Sequence, residues 1–139
     1  MDVKKIKDIC KLYGIVNYTI NDDLSVDVDW NVNLSSCGLK EIPLNFNKVS
    51  GCFWIDGNGI TSLKGSPKTV GVDFDCTMNN LTSLEGGPKI VGGFYICENN
   101  YLTNLKGSAE ECTSCIFFVK YNVKYKLSKA SRSAEIGRA

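Results

Sequence analysis

The chain has no histidine. That absence removes His-based catalytic triads, imidazole general bases and most mixed Cys/His metal sites. No segment approaches the roughly 18–20 consecutive apolar residues that a membrane-spanning helix requires, so a membrane role is not expected. Met1-Asp2-Val3-Lys4-Lys5 leads into no signal-peptide core. Net charge is small, +1, and the 43% apolar and 22% charged residues lack the imbalance that marks disorder. At 139 residues the expectation is one domain with at most a small appendage.

The near-neutral charge hides an asymmetry. Residues 1–111 hold 10 Lys/Arg against 14 Asp/Glu, whereas residues 112–139 hold 6 against 1. Lys120, Lys124, Lys126, Lys129, Arg132 and Arg138 make the C-terminal part basic. Cysteine is abundant at seven residues, an odd number. With no secretory signal, that predicts a reducing compartment and free, mostly structural thiols rather than disulfides.

The dominant feature is an internal repeat. Residues 49–69, 70–90 and 91–111 align without a gap, each 21 residues long. Phe53, Phe74 and Tyr95 fall in one column; Ile55, Cys76 and Cys97 in another; Asn58, Asn79 and Asn100 in a third. Columns of Ile60/Leu81/Leu102, Leu63/Leu84/Leu105 and Gly65/Gly86/Gly107 follow. Upstream, Val32, Leu34, Cys37 and Leu39 make a divergent first turn, and downstream the pattern decays after Ile116. A fixed period of this length means a solenoid in which each turn is buried by its neighbours. Each turn should open with a short strand, and the asparagines should stack and bond to backbone where the strand bends. The Leu-x-Gly-x-Pro-Lys return is too short and too rich in breakers for an α-helix, so an extended or 3₁₀ leg is expected.

The phrase Val-Gly-x-x-Phe-x-Cys-x-x-Asn-x-Leu-Thr-Ser-Leu-x-Gly-x-Pro-Lys, carried at Gly71, Phe74, Cys76, Asn79, Leu81–Leu84, Gly86, Pro88 and Lys89, resembles the compact leucine-rich-repeat proteins of bacteria and their phages. The resemblance spans about residues 14–127. It implies a mainly β leucine-rich-repeat solenoid, a non-enzymatic interaction role, and a home in a bacterial or phage-infected cytoplasm. The ubiquitin-ligase domain that follows similar repeats in some secreted effectors is not expected here.

Val3, Ile6, Ile9, Cys10 and Tyr13 trace one side of an amphipathic helix that Gly14 should end. Tyr18–Ile20 and Leu24–Val28 read as a hairpin. Helix and hairpin, residues 1–30, are expected to cap the solenoid of residues 31–127. Residues 128–139 read as a basic tail without a dedicated cap, so the last edge is expected to be covered either by that tail or by a second copy paired edge to edge.

If Phe53 and Ile55 point inward, residues 52, 54 and 56 and their equivalents point outward. The outward face then carries Trp54, Phe94, Ile96 and Phe117 as apolar anchors and Asp56, Asp73, Asp75 and Glu98 as acids selecting a basic protein partner. No cofactor, metal or catalytic residue is expected. Cys112-Thr-Ser-Cys115 lacks the second pair that a zinc site needs, with Cys112 expected inside and Cys115 outside. Gly86-Gly87 and Gly92-Gly93 read as repeat turns and not as a phosphate loop. Nucleic-acid binding through the basic tail, or a virion assembly role through an exposed edge, are the rival functions.

Overall fold

A computed structural model describes residues 1–119, 122–127 and 136–138, with side chains through Cys115. Helix α1, Val3–Leu12, begins at Asp2, whose side chain accepts the Lys5 amide at 2.8 Å. Ile6 and Cys10 are buried, Ile9 and Tyr13 pack beside them, and Val3 stays exposed. Gly14 ends the helix at φ +66°, the left-handed conformation that a helix C-terminus favours in glycine.

The rest of the described chain is β. Strands β1 (Tyr18–Ile20) and β2 (Val26–Val28) form the expected antiparallel hairpin. Its second strand is built into the coil, because β2 pairs in parallel with β4 (Phe46–Val49). From there the chain winds as a β-solenoid of about four turns spaced 21 residues apart, the architecture that the repeat predicts.

Each turn carries two strands, not one. One parallel ladder runs β2, β4, β6 (Thr69–Val70) and the start of β8 (Ile90–Cys97). The other runs β3 (Val32–Asn33), β5 (Phe53–Trp54), β7 (Phe74–Asp75) and the end of β8. The return leg is therefore partly strand. β8 and β9 (Glu111–Val119) are long enough to serve both ladders.

The interior is a set of apolar columns. Phe53 stacks on Phe74 with centroids 5.7 Å apart, while Phe46 and Tyr95 meet this pair edge-on at 5.0 and 4.9 Å. Ile60/Leu81/Leu102 and Leu63/Leu84 are fully buried beside them. Each such side chain contributes about 1.5–3 kcal/mol by leaving water, but only because the next turn covers it. Burial pushes the Tyr95 phenol up, so it stays neutral in the folded chain.

Asn58, Asn79 and Asn100 form the expected ladder. Each oxygen accepts an amide from the turn before: Leu39 at 3.0 Å, Ile60 at 3.1 Å and Leu81 at 3.0 Å. Each Nδ2 donates to a carbonyl of that same preceding turn, Leu34, Ile55 or Cys76, at 2.9 Å. The residue before each asparagine takes positive φ: Gly57 at +68°, Met78 at +55° and Asn99 at +52°. Gly71 and Gly92 serve another need, since a Cβ on either would strike the carbonyl of Ser50 or Gly71 in the turn below.

The far end departs from expectation in two ways. β10 (Asn122–Leu127) pairs antiparallel with β9, and β11 (Ile136–Arg138) with β10. The edge of β9 is thus occupied by the chain itself, which removes the motive for pairing two copies there. Part of the expected tail is strand β11, while residues 128–135 and 139 lie outside the described residues. The second departure is a bulge: Val91 faces Cys112 but Phe94 faces Ser114, so β9 runs one residue short of the repeat.

Two stability changes follow. Asn79→Ala strands the Ile60 amide and its bonded carbonyls in the interior, and should lower unfolding free energy in urea by about 3 kcal/mol. Met78→Gly should raise it by about 0.5–1 kcal/mol, because left-handed strain is relieved at an exposed side chain where the turn below already has glycine.

Candidate binding face

The two-residue alternation of the second ladder sets the outward face. Phe53, Phe74 and Tyr95 are fully buried, so their neighbours must point away from the core. Backbone register aligns Asn33, Trp54, Asp75 and Ile96 in one outward column. Asn31, Cys52, Asp73 and Phe94 stand at the preceding position in each turn, and Ser35, Asp56, Thr77 and Glu98 at the following one. Trp54, Asp56, Asp73, Asp75, Ile96 and Glu98 are half-buried, and Phe94 is 45% exposed.

The backbone register of Phe117 differs from the one expected. The bulge pairs Cys115 with Tyr95, Ile116 with Ile96 and Phe117 with Cys97. The backbone thus sets Phe117 in register with Cys76 and Cys97, which are buried, and not with Phe94 or Ile96. Cys115 shifts with it and is fully buried, where an outward position was expected. A one-residue slip exchanges the two faces of a strand, so this single bulge accounts for both corrections.

The acids are not equivalent. Asp73 Oδ1 accepts the Phe94 amide of the next turn at 2.8 Å, as Asn31 Oδ1 accepts that of Cys52 at 2.8 Å. Asp75 Oδ1 accepts the Thr77 amide at 2.9 Å, and Asp56 accepts the Ser35 hydroxyl at 2.6 Å. Asp73 and Asp56 thus join successive turns and Asp75 fixes the bend after its own strand, while all three charge the surface. The apolar anchors are also divided, since Asp75 lies between Trp54 and Ile96, and Asp73 between Cys52 and Phe94.

Sequence reasoning missed the strip beside this face. Trp30 is 60% exposed and Val72 44% exposed. They precede Asn31 and Asp73, on the bend linking the ladders, where Gly51 lies between them (Gly51 N to Trp30 O 3.3 Å; Val72 N to Gly51 O 3.1 Å). Strict alternation along one strand cannot find them; the 21-residue column of Trp30, Gly51 and Val72 was the available signal.

The cysteines also differ from expectation. Cys76 and Cys97, in one column with Cα atoms 4.8 Å apart, are disulfide-bonded, and so are Cys112 and Cys115. Cys10, Cys37 and Cys52 are free. Burial pushes the Cys10 thiol up, which makes it a poor nucleophile. Among the described residues no group of three or more Cys, Asp or Glu is placed to hold a metal ion, and no helix is long and apolar enough to cross a membrane.

No protein-family model, curated protein or solved structure matches this chain.

Thiol counting checks the pairing. Denatured, unreduced protein should release three titratable thiols, and reductant should raise the count to seven. Peptide mapping should join Cys76 to Cys97, and the alternative of seven thiols before reduction would show that these cysteines pack as thiols.

Proposed function

We propose that the chain is a non-enzymatic protein-binding module that seats a partner on the outward strand face. The observation that carries this is Phe94, nearly half exposed and next to Ile96, with Trp54 two turns away on the same rigid ladder. Large apolar groups held at set positions on an open surface act as binding anchors, because covering them releases water at little entropic cost.

The partner presents a basic segment. Asp56, Asp73 and Asp75 accept structural bonds through a single oxygen each. The Glu98 carboxylate has no hydrogen-bond or ion-pair partner among the described residues. Four acids around three apolar anchors favour Lys and Arg and repel phosphate backbones. The basic C-terminal segment supports the rival of nucleic-acid binding or virion assembly less well, because this acidic face lies on the same small molecule.

The repeat's likeness to compact leucine-rich-repeat proteins of bacteria and phages supports a phage factor acting on a host protein in the bacterial cytoplasm. In that reducing setting Cys76, Cys97, Cys112 and Cys115 would serve as small buried apolar groups, a role that the core accommodates.

A pull-down from bacterial lysate compares the native chain with Trp54→Ala/Phe94→Ala and with Glu98→Lys, folding being checked by circular dichroism. A band retained by the native chain should fall at least about ten-fold in the double variant, the effect of losing two hot-spot side chains. It should fall less with Glu98→Lys, and more steeply with salt for the native chain than for that variant. Equal recovery with all three proteins would remove the face.

A further inference from the structure

We propose that the return side of the solenoid, away from the strand face, holds a binding site for a phosphate group of a small phosphomonoester or of free phosphate. The site is a groove of about 480 Å³ lined by Lys64, Lys68 and Lys89, with Gly65, Ser66 and Gly86 between them. Its volume suits a small ligand.

Three lysines dominate the polar lining of this groove, with Asp23 and Asn45 as its side-chain acceptors, and the lysines form no ion pair among the described residues. The ion pairs of the described residues are Lys4–Asp8 and Lys106–Glu85, so Lys64, Lys68 and Lys89 face no carboxylate within pairing distance. Lys68 and Lys89 occupy one column in adjacent turns, joined by a bond from Lys89 N to Lys68 O at 2.9 Å. Like charges stacked in this way repel unless an anion lies between them. The contrast with Lys106 is informative: one turn on from Glu85, it is neutralised by that neighbour at 3.2 Å.

The floor of the groove adds a second, independent observation. Ser66 is 6% exposed, and its hydroxyl has no hydrogen-bond partner. A buried hydroxyl left without a partner is costly, and sites that bind a ligand commonly keep such a group in reserve. The amides of Gly65 and Gly86 likewise donate to no acceptor among the described residues. Both glycines take positive φ, +94° and +84°, and oriented backbone amides of this kind form anion-binding concavities.

Lysines, glycine amides and a buried hydroxyl lining one small groove match a compact, multiply charged oxyanion with several acceptor oxygens. Asp23 stands at the rim. Bonds from the Ser25 hydroxyl and amide, with the attraction of Lys68, hold its carboxyl below the usual range, so the groove is basic along its lysines and acidic at this rim. No phosphate-loop motif marks the site, because Lys68 and Lys89, like Gly65 and Gly86, are 21 residues apart and meet only when the turns stack.

The test is amide NMR on the full ¹⁵N-labelled chain near neutral pH, titrated with inorganic phosphate and with ribose 5-phosphate at ionic strength held constant with chloride. The Gly65 and Gly86 amides should shift saturably. Lys68→Gln/Lys89→Gln should weaken binding at least about ten-fold, whereas the charge-matched helix variant Lys5→Gln/Lys7→Gln should leave it unchanged. Tighter binding of ribose 5-phosphate would assign the group to an organic phosphomonoester, and equal binding to free phosphate. Shifts that never saturate, shifts reproduced by chloride alone, or equal weakening in both double variants would overturn the proposal.

Discussion

The side-chain amides of Asn58, Asn79 and Asn100 bind each turn to the one before it, and the remaining features depend on that spacing. One carboxamide joins an amide 19 residues back and a carbonyl 24 residues back, so a turn longer or shorter by a single residue would break both bonds. Asn79 is buried and Asn58 and Asn100 half-buried, so losing these groups, Asn79 above all, leaves polar backbone unsatisfied and poorly rehydrated. That penalty explains why the backbone tolerates a left-handed Met78 and Asn99 just before two of the ladder residues. The bond network over-determines the corner, and the strain persists.

Once the spacing is set, the alternating burial of each short strand determines what reaches the surface. β5 and β7 have only two residues each, too short to be stable as isolated strands. They hold because Phe53, Phe74 and Tyr95 stack beneath them and because Asn31 and Asp73 accept backbone amides from the next turn. Asp73 shows how one carboxylate serves structure and surface at once. Its Oδ1 anchors the strand that presents Phe94, so charge and anchor are mechanically linked.

The columns from residue 49 to 111 were legible because the period is unbroken and its members differ little in size. The asparagine ladder and the outward positions of Trp54, Phe94 and Ile96 follow from that period, while helix α1 and the hairpin follow from the amphipathic spacing of residues 3–13 and the two short strand patterns after Gly14. What sequence periodicity could not supply lies where the period changes. The bulge at Gly92-Gly93 has no marker except an extra glycine, yet it moves Cys115 inward and takes Phe117 out of the expected column. The Val49/Val70/Val91 column was visible, and Pro67 and Pro88 beside it argued against a helix, but the extended or 3₁₀ leg expected there was not resolved into a second ladder. The pairing of Cys76 with Cys97 was implicit in their shared column, but the odd cysteine count argued for free thiols. Trp30 lay on a bend, outside the alternation used to choose exposed groups.

Stacking also explains how a chain with net charge of only +1 can present two opposite surfaces. A residue repeated every 21 positions becomes a stripe, and a change of residue in one column alters a whole strip of surface. Acids at positions 56, 73, 75 and 98 fall on the strand ladder, while lysines at 64, 68 and 89 fall on the return leg. The interior between them is a few side chains thick and apolar, so the two fields are separated by low-dielectric material and do not cancel locally. A basic peptide approaching the strand face and a phosphate approaching the return groove would therefore be drawn to different sides. Because both surfaces hang on the same asparagine-pinned turns, an event that loosened one turn would alter both at once, and that coupling needs no contact between the two ligands.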